Sequence, residues 1–349
     1  MPLTVDWAIT LDGQNYTSRF NPYVMEIEVQ DQDGTESDTA RLTLADDGRL
    51  IMLKKGLMLS VSILGVKVFE GKTESPRYTL AKGDGGRLII SAKGFDAEKG
   101  AKEGKHFAKE DATLKEYLEE FAKKAGLSGI KVDEQLGKMK SPWRGPEGRS
   151  FIHEGNRLAR EYGAAFKIQG DKAVFVKRGK GVTASGQPLP TIQATNPGNL
   201  LNVDIEPFEA RSVYRDVRVQ GFDRKTAKFF EEKVDIDTSG ATGGASAVLR
   251  GKRSDKDDAK ARGEGRKTEA ERDKGGGTVE IDIEPQARAE GTCIVSGTRA
   301  GIDGTYRIAS VTHTLRPGEG GGATTKLELK QPDDKAGKDS RKAGQTSEG

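Results

Sequence analysis

Polar and apolar residues alternate with a period of two along most of the first 95 positions. Val5, Trp7, Ile9 and Leu11 stand between polar neighbours and stop at the turn dipeptide Asp12-Gly13. Met25, Ile27 and Val29 alternate with Glu26, Glu28 and Gln30, and Ala40, Leu42 and Leu44 repeat the pattern up to Asp46-Asp47-Gly48. Leu57, Leu59, Val61 and Ile63 follow, then a return near Gly65 and a strand through Val66, Val68 and Phe69. Leu88, Ile89 and Ile90 close the block. Side chains of a strand point alternately to its two faces, so this pattern buries one face and wets the other. About six such strands in so short a stretch predict a small barrel or sandwich.

The period then becomes helical. Thr113-Leu114-Lys115-Glu116 has capping-box spacing, in which the Thr113 hydroxyl accepts from the Glu116 amide and the carboxylate reaches back. Leu114, Tyr117, Leu118, Phe121, Ala122 and Ala125 share one helical face, and Gly126 suits its end. A second helix is predicted over 150–162, with Phe151, Leu158 and Tyr162 on one side and Gly163 ending it. Ala165, Phe166 and Ile168 with Ala173-Val174-Phe175-Val176 predict a hairpin turning at Gly170-Asp171. Residues 98–180 therefore read as a small α+β insert.

A Gly- and Pro-rich linker runs from Gly179 to Pro197, and strand patterns then resume. They lie at Leu201-Val203-Ile205, Val213-Val217-Val219, Val279-Ile281-Ile283, Tyr306-Ile308 and Leu327-Leu329. Between them, residues 250–277 are almost entirely charged residues, glycine and alanine, and offer no apolar face. Gly263 and Gly265 would each cost a helix about 1 kcal/mol relative to alanine. The segment is expected to be a solvated helix or a mobile loop, cut early by trypsin near Arg262, Arg266 and Lys267. The polar residues from Pro332 onward are expected to be disordered.

One β stretch reads as a copy of another. Gly56-Leu57-Met58-Leu59-Ser60-Val61-Ser62, continuing through Tyr78-Thr79-Leu80 to Gly83-Asp84-Gly85-Gly86, matches Gly291-Thr292-Cys293-Ile294-Val295-Ser296. The second continues through His313-Thr314-Leu315 to Gly318-Glu319-Gly320-Gly321, at a single offset of 235 positions. A similar β unit near each end marks an internal duplication and favours a ring-builder over an enzyme.

Composition agrees. The 349 residues suffice for two to four domains, only 34% are hydrophobic and 32% are charged, and 45 are glycine, which suits many tight β turns. A net charge of +3, from 57 basic and 54 acidic residues, argues against a dedicated nucleic-acid binder. The single Cys293 allows neither an internal disulfide nor a multi-thiolate zinc site, so folding in a reducing cytoplasm is expected. No apolar run reaches the roughly 18 residues of a membrane span, and the N-terminus has no signal-peptide pattern.

Candidate chemistry is sparse. Gly65 to Thr73 resembles a phosphate loop, but five residues separate Gly65 from Gly71 where four are needed, and a β pattern runs through it. His153-Glu154 begins like a zinc-protease helix, yet Arg157 stands where the second ligand belongs. His106, His153 and His313 are the only histidines, and His313 reads as packed in a strand. No Gly-x-Ser-x-Gly elbow is present, and the carboxylates of Glu116, Glu119 and Glu120 read as a solvated helix face. No catalytic, cofactor-binding or metal-binding residue is assigned, and no cofactor is expected. Trp143, in a turn-rich loop, is expected to make a local core contact, with a partner-facing anchor as the alternative.

Three sets of motifs resemble one family. Ser37-Asp38 leading into Ala40-Arg41-Leu42-Thr43-Leu44-Ala45-Asp46, then Lys55-Gly56-Leu57 and Phe69-Glu70-Gly71, are similar to the opening of phage late control D-type baseplate hub proteins. Phe151 to Gly163 followed by a hairpin resembles that family's middle. Gly301-Ile302-Asp303-Gly304-Thr305-Tyr306-Arg307-Ile308 through Val311-Thr312-His313, and Thr324-Thr325-Lys326-Leu327-Glu328-Leu329, resemble its close. The resemblance covers about 1–331; the charged 250–277 segment departs from it.

The resemblance implies a mainly β chain: a tube-like barrel at 1–97, an α+β insert at 98–180, a second tube-like barrel at 181–331 and a disordered tail at 332–349. It implies a homotrimer in the virion tail baseplate, assembled in the bacterial cytoplasm. That trimer would adapt a hexameric tail tube to a trimeric spike around a channel, with tape-measure protein as a further partner and DNA only as cargo. Interface residues stay unassigned. The other readings are a tail-associated cell-wall hydrolase and a hub of a phage-derived secretion or tailocin system.

Overall fold

The computed structural model describes residues 5–33, 37–83, 85–94, 100–169, 171–178, 188–207, 214–223, 226–236, 244–253, 256–272, 275–318 and 321–337. The first part of the chain is β, as its alternation predicts. It contains β1 (Trp7–Leu11), β2 (Gln14–Asn15), a single helical turn α1 (Thr17–Phe20), β3 (Val24–Gln32), β4 (Thr39–Asp46), β5 (Met58–Ile63), β6 (Val66–Thr73), β7 (Arg77–Ala81) and β8 (Gly85–Lys93). The residues at every second position, among them Ile9, Leu42, Leu59, Val61 and Ile90, are fully buried and form one core.

The middle part comprises β9 (Lys109–Thr113), α2 (Leu114–Lys124), β10 (Gly129–Val132), α3 (Glu134–Gly137), β11 (Lys140–Arg144), α4 (Phe151–Tyr162) and the hairpin β12 (Ala164–Gln169) and β13 (Lys172–Lys177). Both helix starts form as their sequences require. Thr113 and Glu116 make a complete capping box, and the Ser150 hydroxyl accepts from the His153 amide. Gly163 ends α4 in the left-handed region at φ +60, which costs glycine little. The facing sides of α2 and α4 close over β12 and β13 through Tyr117, Phe121, Phe151, Phe166 and Phe175, two of whose ring pairs meet edge to face.

The last part holds β14 (Thr191–Thr195), β15 (Leu200–Glu206), β16 (Asp216–Asp223), β17 (Lys228–Asp235), β18 (Ser246–Arg253), α5 (Lys256–Arg272), β19 (Gly276–Asp282), β20 (Thr292–Ser296), β21 (Gly304–Leu315) and β22 (Ala323–Asp333). The neighbour order β3, β4, β8, β6, β5, β1 in the first part is matched by β15, β19, β22, β21, β20, β14 in the last. The repeat is thus one of topology as well as of residues. In the second copy the single strand β21 takes the place of β6 and β7, which Pro76 separates in the first. The two copies also differ in that β1 runs antiparallel to β5 but β14 parallel to β20.

Both copies belong to one 14-stranded sheet, joined where β21 pairs with β3 from Ser310↔Gln32 to Leu315↔Ile27. Arg316 closes the end of that seam on Glu26 at 2.6 Å. The second copy has its own core of Val279, Ile281, Val295, Ile308 and Leu327.

The segment 250–277 corrects the expectation drawn from its composition. Its first residues belong to β18, and 256–272 form α5, with Ala259, Arg262, Gly263, Gly265 and Arg272 buried. The helix is wedged between the three-stranded sheet β17-β16-β18 and α4. Its contacts are made by small residues and ion pairs, which a search for an apolar stripe does not register. A methyl group on Gly263 would lie 2.6 Å from Val234, and one on Gly265 would lie 2.5 Å from the Tyr162 backbone. Trypsin sites at Arg262, Arg266 and Lys267 therefore lie within packed helix. The expected disorder from Pro332 onward is corrected in part: β22 runs to Asp333 and Ala336 is buried, while 338–349 lie outside the described residues. Val213, Gly170 and the linker residues 179–187 also lie outside them.

Candidate functional site

The motifs singled out for chemistry are absorbed by packing. Gly65, at φ +76, turns β5 into β6, and the strand runs on to Thr73 where a phosphate loop would begin a helix. Arg157, which breaks the zinc-protease pattern, is the ion-pair partner of that motif's own glutamate: its Nη2 lies 2.6 Å from Glu154 Oε1. Glu154 is buried, and Arg149 at 3.4 Å and the Tyr117 hydroxyl at 3.4 Å complete its surroundings. Cys293 is buried, and burial pushes its thiol up to about 12. Among the described residues no group of three His, Cys, Asp or Glu side chains is placed to hold a metal, and no helix is long and apolar enough to cross a membrane.

His313, on β21, is fully buried, its Nδ1 3.0 Å from Thr325 Oγ1 of β22. Burial, aided by the Arg288 charge, lowers its pKa from 6.5 to about 4. Between these values the unfolded chain takes up a proton that the folded chain refuses, so this group's contribution to stability falls as pH drops from 6.5 towards 4. His313→Gln is therefore expected to flatten the chain's loss of stability across that window, read as urea midpoints at pH 7, 5.5 and 4.5. An unchanged pH profile would show that His313 does not titrate as described.

Four ionic contacts hold the parts of the chain together. Lys167, on β12, reaches Asp31 of β3 at 2.7 Å and Asp38, just before β4, at 2.9 Å. Asp31 also accepts the Ala289 amide at 3.0 Å, so one carboxylate binds the first, middle and last parts at once. Burial would raise Asp31, but the Lys167 charge and hydrogen bonds outweigh it and hold it below the usual carboxylate range. Asp38 goes the other way: burial and the neighbouring Asp31 charge push it up to about 6. Beside them Arg272, at the end of α5, bridges Asp33 and Glu290.

Sequence reading missed this junction. Lys167 alternates with Phe166 and Ile168, so it reads as the solvent-facing position of a hairpin. Two acidic residues, at 31 and 38, flanking the connection between the predicted strands at 25–29 and 40–44 were the available signal.

Between the middle part and α5 lies a polar cavity of about 340 Å³ whose wall includes Trp143, Arg144, Arg149, Arg157 and Arg262. Trp143 is 50% exposed there, which corrects the expectation of a core contact and leaves the partner-facing alternative.

Two of the strands with a free side are β7 and β15. Among the described residues β7 pairs only with β8, and β15 only with β19. Each shows large apolar side chains to solvent: Tyr78 and Leu80 on β7, and Leu201 on β15. Edge strands present unpaired amides and carbonyls in a row and are normally shielded, so exposed apolar residues on them mark contact surfaces.

This architecture places the chain in a class. The 43 kDa tail protein of prophage MuSo2 from Shewanella oneidensis has the same fold, with a TM-score of 0.68 at 15% identity over 93% of this chain and 98% of that one. Two curated relatives are probable baseplate hub proteins. The probable baseplate hub protein of Escherichia phage 186 is 25% identical over 234 residues, 66% of this chain and 59% of the relative. That of Escherichia phage P2 is 27% identical over 198 residues, 55% of this chain and 50% of the relative. The chain thus spans about half the length of the curated relatives it matches. No protein-family model matches it. The resemblance to phage baseplate hub proteins read from the motifs is borne out.

Proposed function

We propose that this chain is the structural hub of a phage-like tail tip, without chemistry of its own. Three copies close head to tail into a ring around a channel. Each brings two tube-like β units, about 1–97 and 181–331, so six similar units face a hexameric tail tube. The insert, about 98–180, lies off the ring and gives the threefold face that receives a spike. Tape-measure protein and DNA pass through the channel, and the ring works in the virion baseplate after assembly in the cytoplasm.

The observation that carries this reading is the repeated strand order of the two sheet halves. The exposed apolar residues of β7 and β15 support it, because one sits in each half and a head-to-tail ring needs two different contact surfaces. Light-scattering mass and averaged micrographs of the full chain, with tube and spike proteins added, test it. A ring of three copies is expected, and a chain that stays monomeric with both partners present would overturn the adaptor. Leu80→Lys with Leu201→Lys is expected to prevent ring closure while shifting monomer stability by no more than about 0.5 kcal/mol, since both side chains are exposed. Unimpaired rings from that variant would move the contact elsewhere.

A further inference from the structure

The cavity between the middle part and α5 holds a cation that no carboxylate meets directly among the described residues; the nearest link is the Tyr162 hydroxyl, which donates to Asp258. Arg144 ends β11 and is 7% exposed. Its guanidinium donates to the Tyr162 hydroxyl at 3.4 and 3.5 Å and to the Met139 carbonyl at 3.2 Å, while its buried Nε–H has no acceptor among the described residues. The other three arginines of the cavity each have carboxylate partners among the described residues. Arg149 meets Glu147 at 3.1 Å, Arg157 meets Glu154 at 2.6 Å, and Arg262 meets Glu161 at 2.9 Å.

The cavity wall itself sets four arginines against the three carboxylates of Glu147, Glu154 and Asp258. Glu161, just outside that wall, pairs with Arg157 and Arg262 and brings the count to four against four, so what Arg144 lacks is a direct carboxylate contact. A guanidinium removed from water is destabilised unless an anion or a full set of acceptors replaces its hydration.

We propose that this cavity binds a carboxylate carried by a protein partner, an acidic side chain whose two oxygens meet the Arg144 guanidinium. The planar fork of arginine matches a carboxylate in two parallel hydrogen bonds. The volume of about 340 Å³ has room for a side chain. Trp143, half exposed at the rim, offers apolar contact to the chain that carries the carboxylate, which an inorganic ion cannot use. The site does not depend on ring closure, so its failure would leave the hub reading untouched.

The test is a titration of the full chain, in a Trp7→Phe background, following Trp143 fluorescence. The probes are an acetylated and amidated alanine–glutamate–alanine peptide, its glutamine counterpart, and inorganic phosphate. A saturable change is expected with the glutamate peptide, weaker by about tenfold or more with the other two probes and in Arg144→Met. Because Arg144 leaves no carboxylate behind when removed, Arg144→Met should keep its circular dichroism spectrum. Should that variant misfold, Arg144→Lys keeps the charge, loses the fork, and should weaken the peptide by a similar factor. Absence of saturation, equal binding of the glutamine peptide, or unchanged binding in the folded variant would overturn the site. Phosphate binding as tightly as the peptide would also overturn it, leaving a simple anion site.

Discussion

Replacing Gly265 with alanine is expected to destabilise the chain by about 1–3 kcal/mol, although alanine is the best helix former. In a solvated helix the same change would stabilise by about 1 kcal/mol, so the sign of the effect is diagnostic. The added methyl would lie 2.5 Å from the Tyr162 carbonyl carbon and 2.6 Å from the Gly163 amide, both backbone atoms of the turn that ends α4. No side chain can swing away to admit it, so α5 and α4 must separate. Their separation would also loosen Arg262 from Glu161 and the Tyr162 hydroxyl from Asp258. Urea unfolding of Gly265→Ala beside Lys260→Ala, an exposed position of the same helix, is the measurement. Lys260→Ala should stay within about 0.5 kcal/mol of the parent. A more stable Gly265→Ala would show that α5 is not packed on α4 in solution.

The second large effect is expected at the three-part junction. Lys167→Met would leave Asp31 and Asp38 facing each other without their cation, which typically costs about 3–5 kcal/mol for a buried pair. The partial exposure of these groups, 15% and 21% for the carboxylates, places the expected loss near about 3 kcal/mol at pH 7.

The pH dependence has a definite sign. Asp38 holds its proton up to about 6 in the folded chain, against an ordinary 3.8. Across that interval the folded chain binds more protons than the unfolded one, so this group favours folding below it and loses that contribution as pH rises through 6. Without Lys167 the loss should therefore shrink as pH falls from 7 to 5. Adding Asp38→Asn should restore part of the stability at pH 7. A Lys167→Met variant equally destabilised at both pH values would show that the two carboxylates do not repel each other in the fold.

Much of the fold was legible because its local rules agree. Alternation placed β1, β3, β4, β5 and β6, and the capping box at Thr113 and the stop at Gly163 bounded α2 and α4 almost to the residue. The strands β17 and β18 were not anticipated. Lys228 to Asp235 carries charge on nearly every outward position and shows Phe229 to solvent, so its alternation is weak. Helix α5 failed for a different reason: glycine and alanine make contact by letting backbones approach, and no hydrophobic period records that. The junction and the cavity were invisible for a third reason, since each is built from residues far apart in the chain, such as Asp31 with Lys167 and Tyr162 with Asp258.

By itself the sequence determined the β period, the two helix caps, the duplicated unit and the absence of any recognisable catalytic motif, because each of these is a pattern among near neighbours or a direct comparison of two stretches. Tertiary structure alone decided that β21 pairs with β3 to join the two halves, and that α5 is packed and not solvated. It also decided that Lys167 clamps three parts of the chain while Arg144, among the described residues, meets no carboxylate directly. Those outcomes depend on which distant surfaces meet. Charge, size and backbone clearance settle that only once the chain has folded.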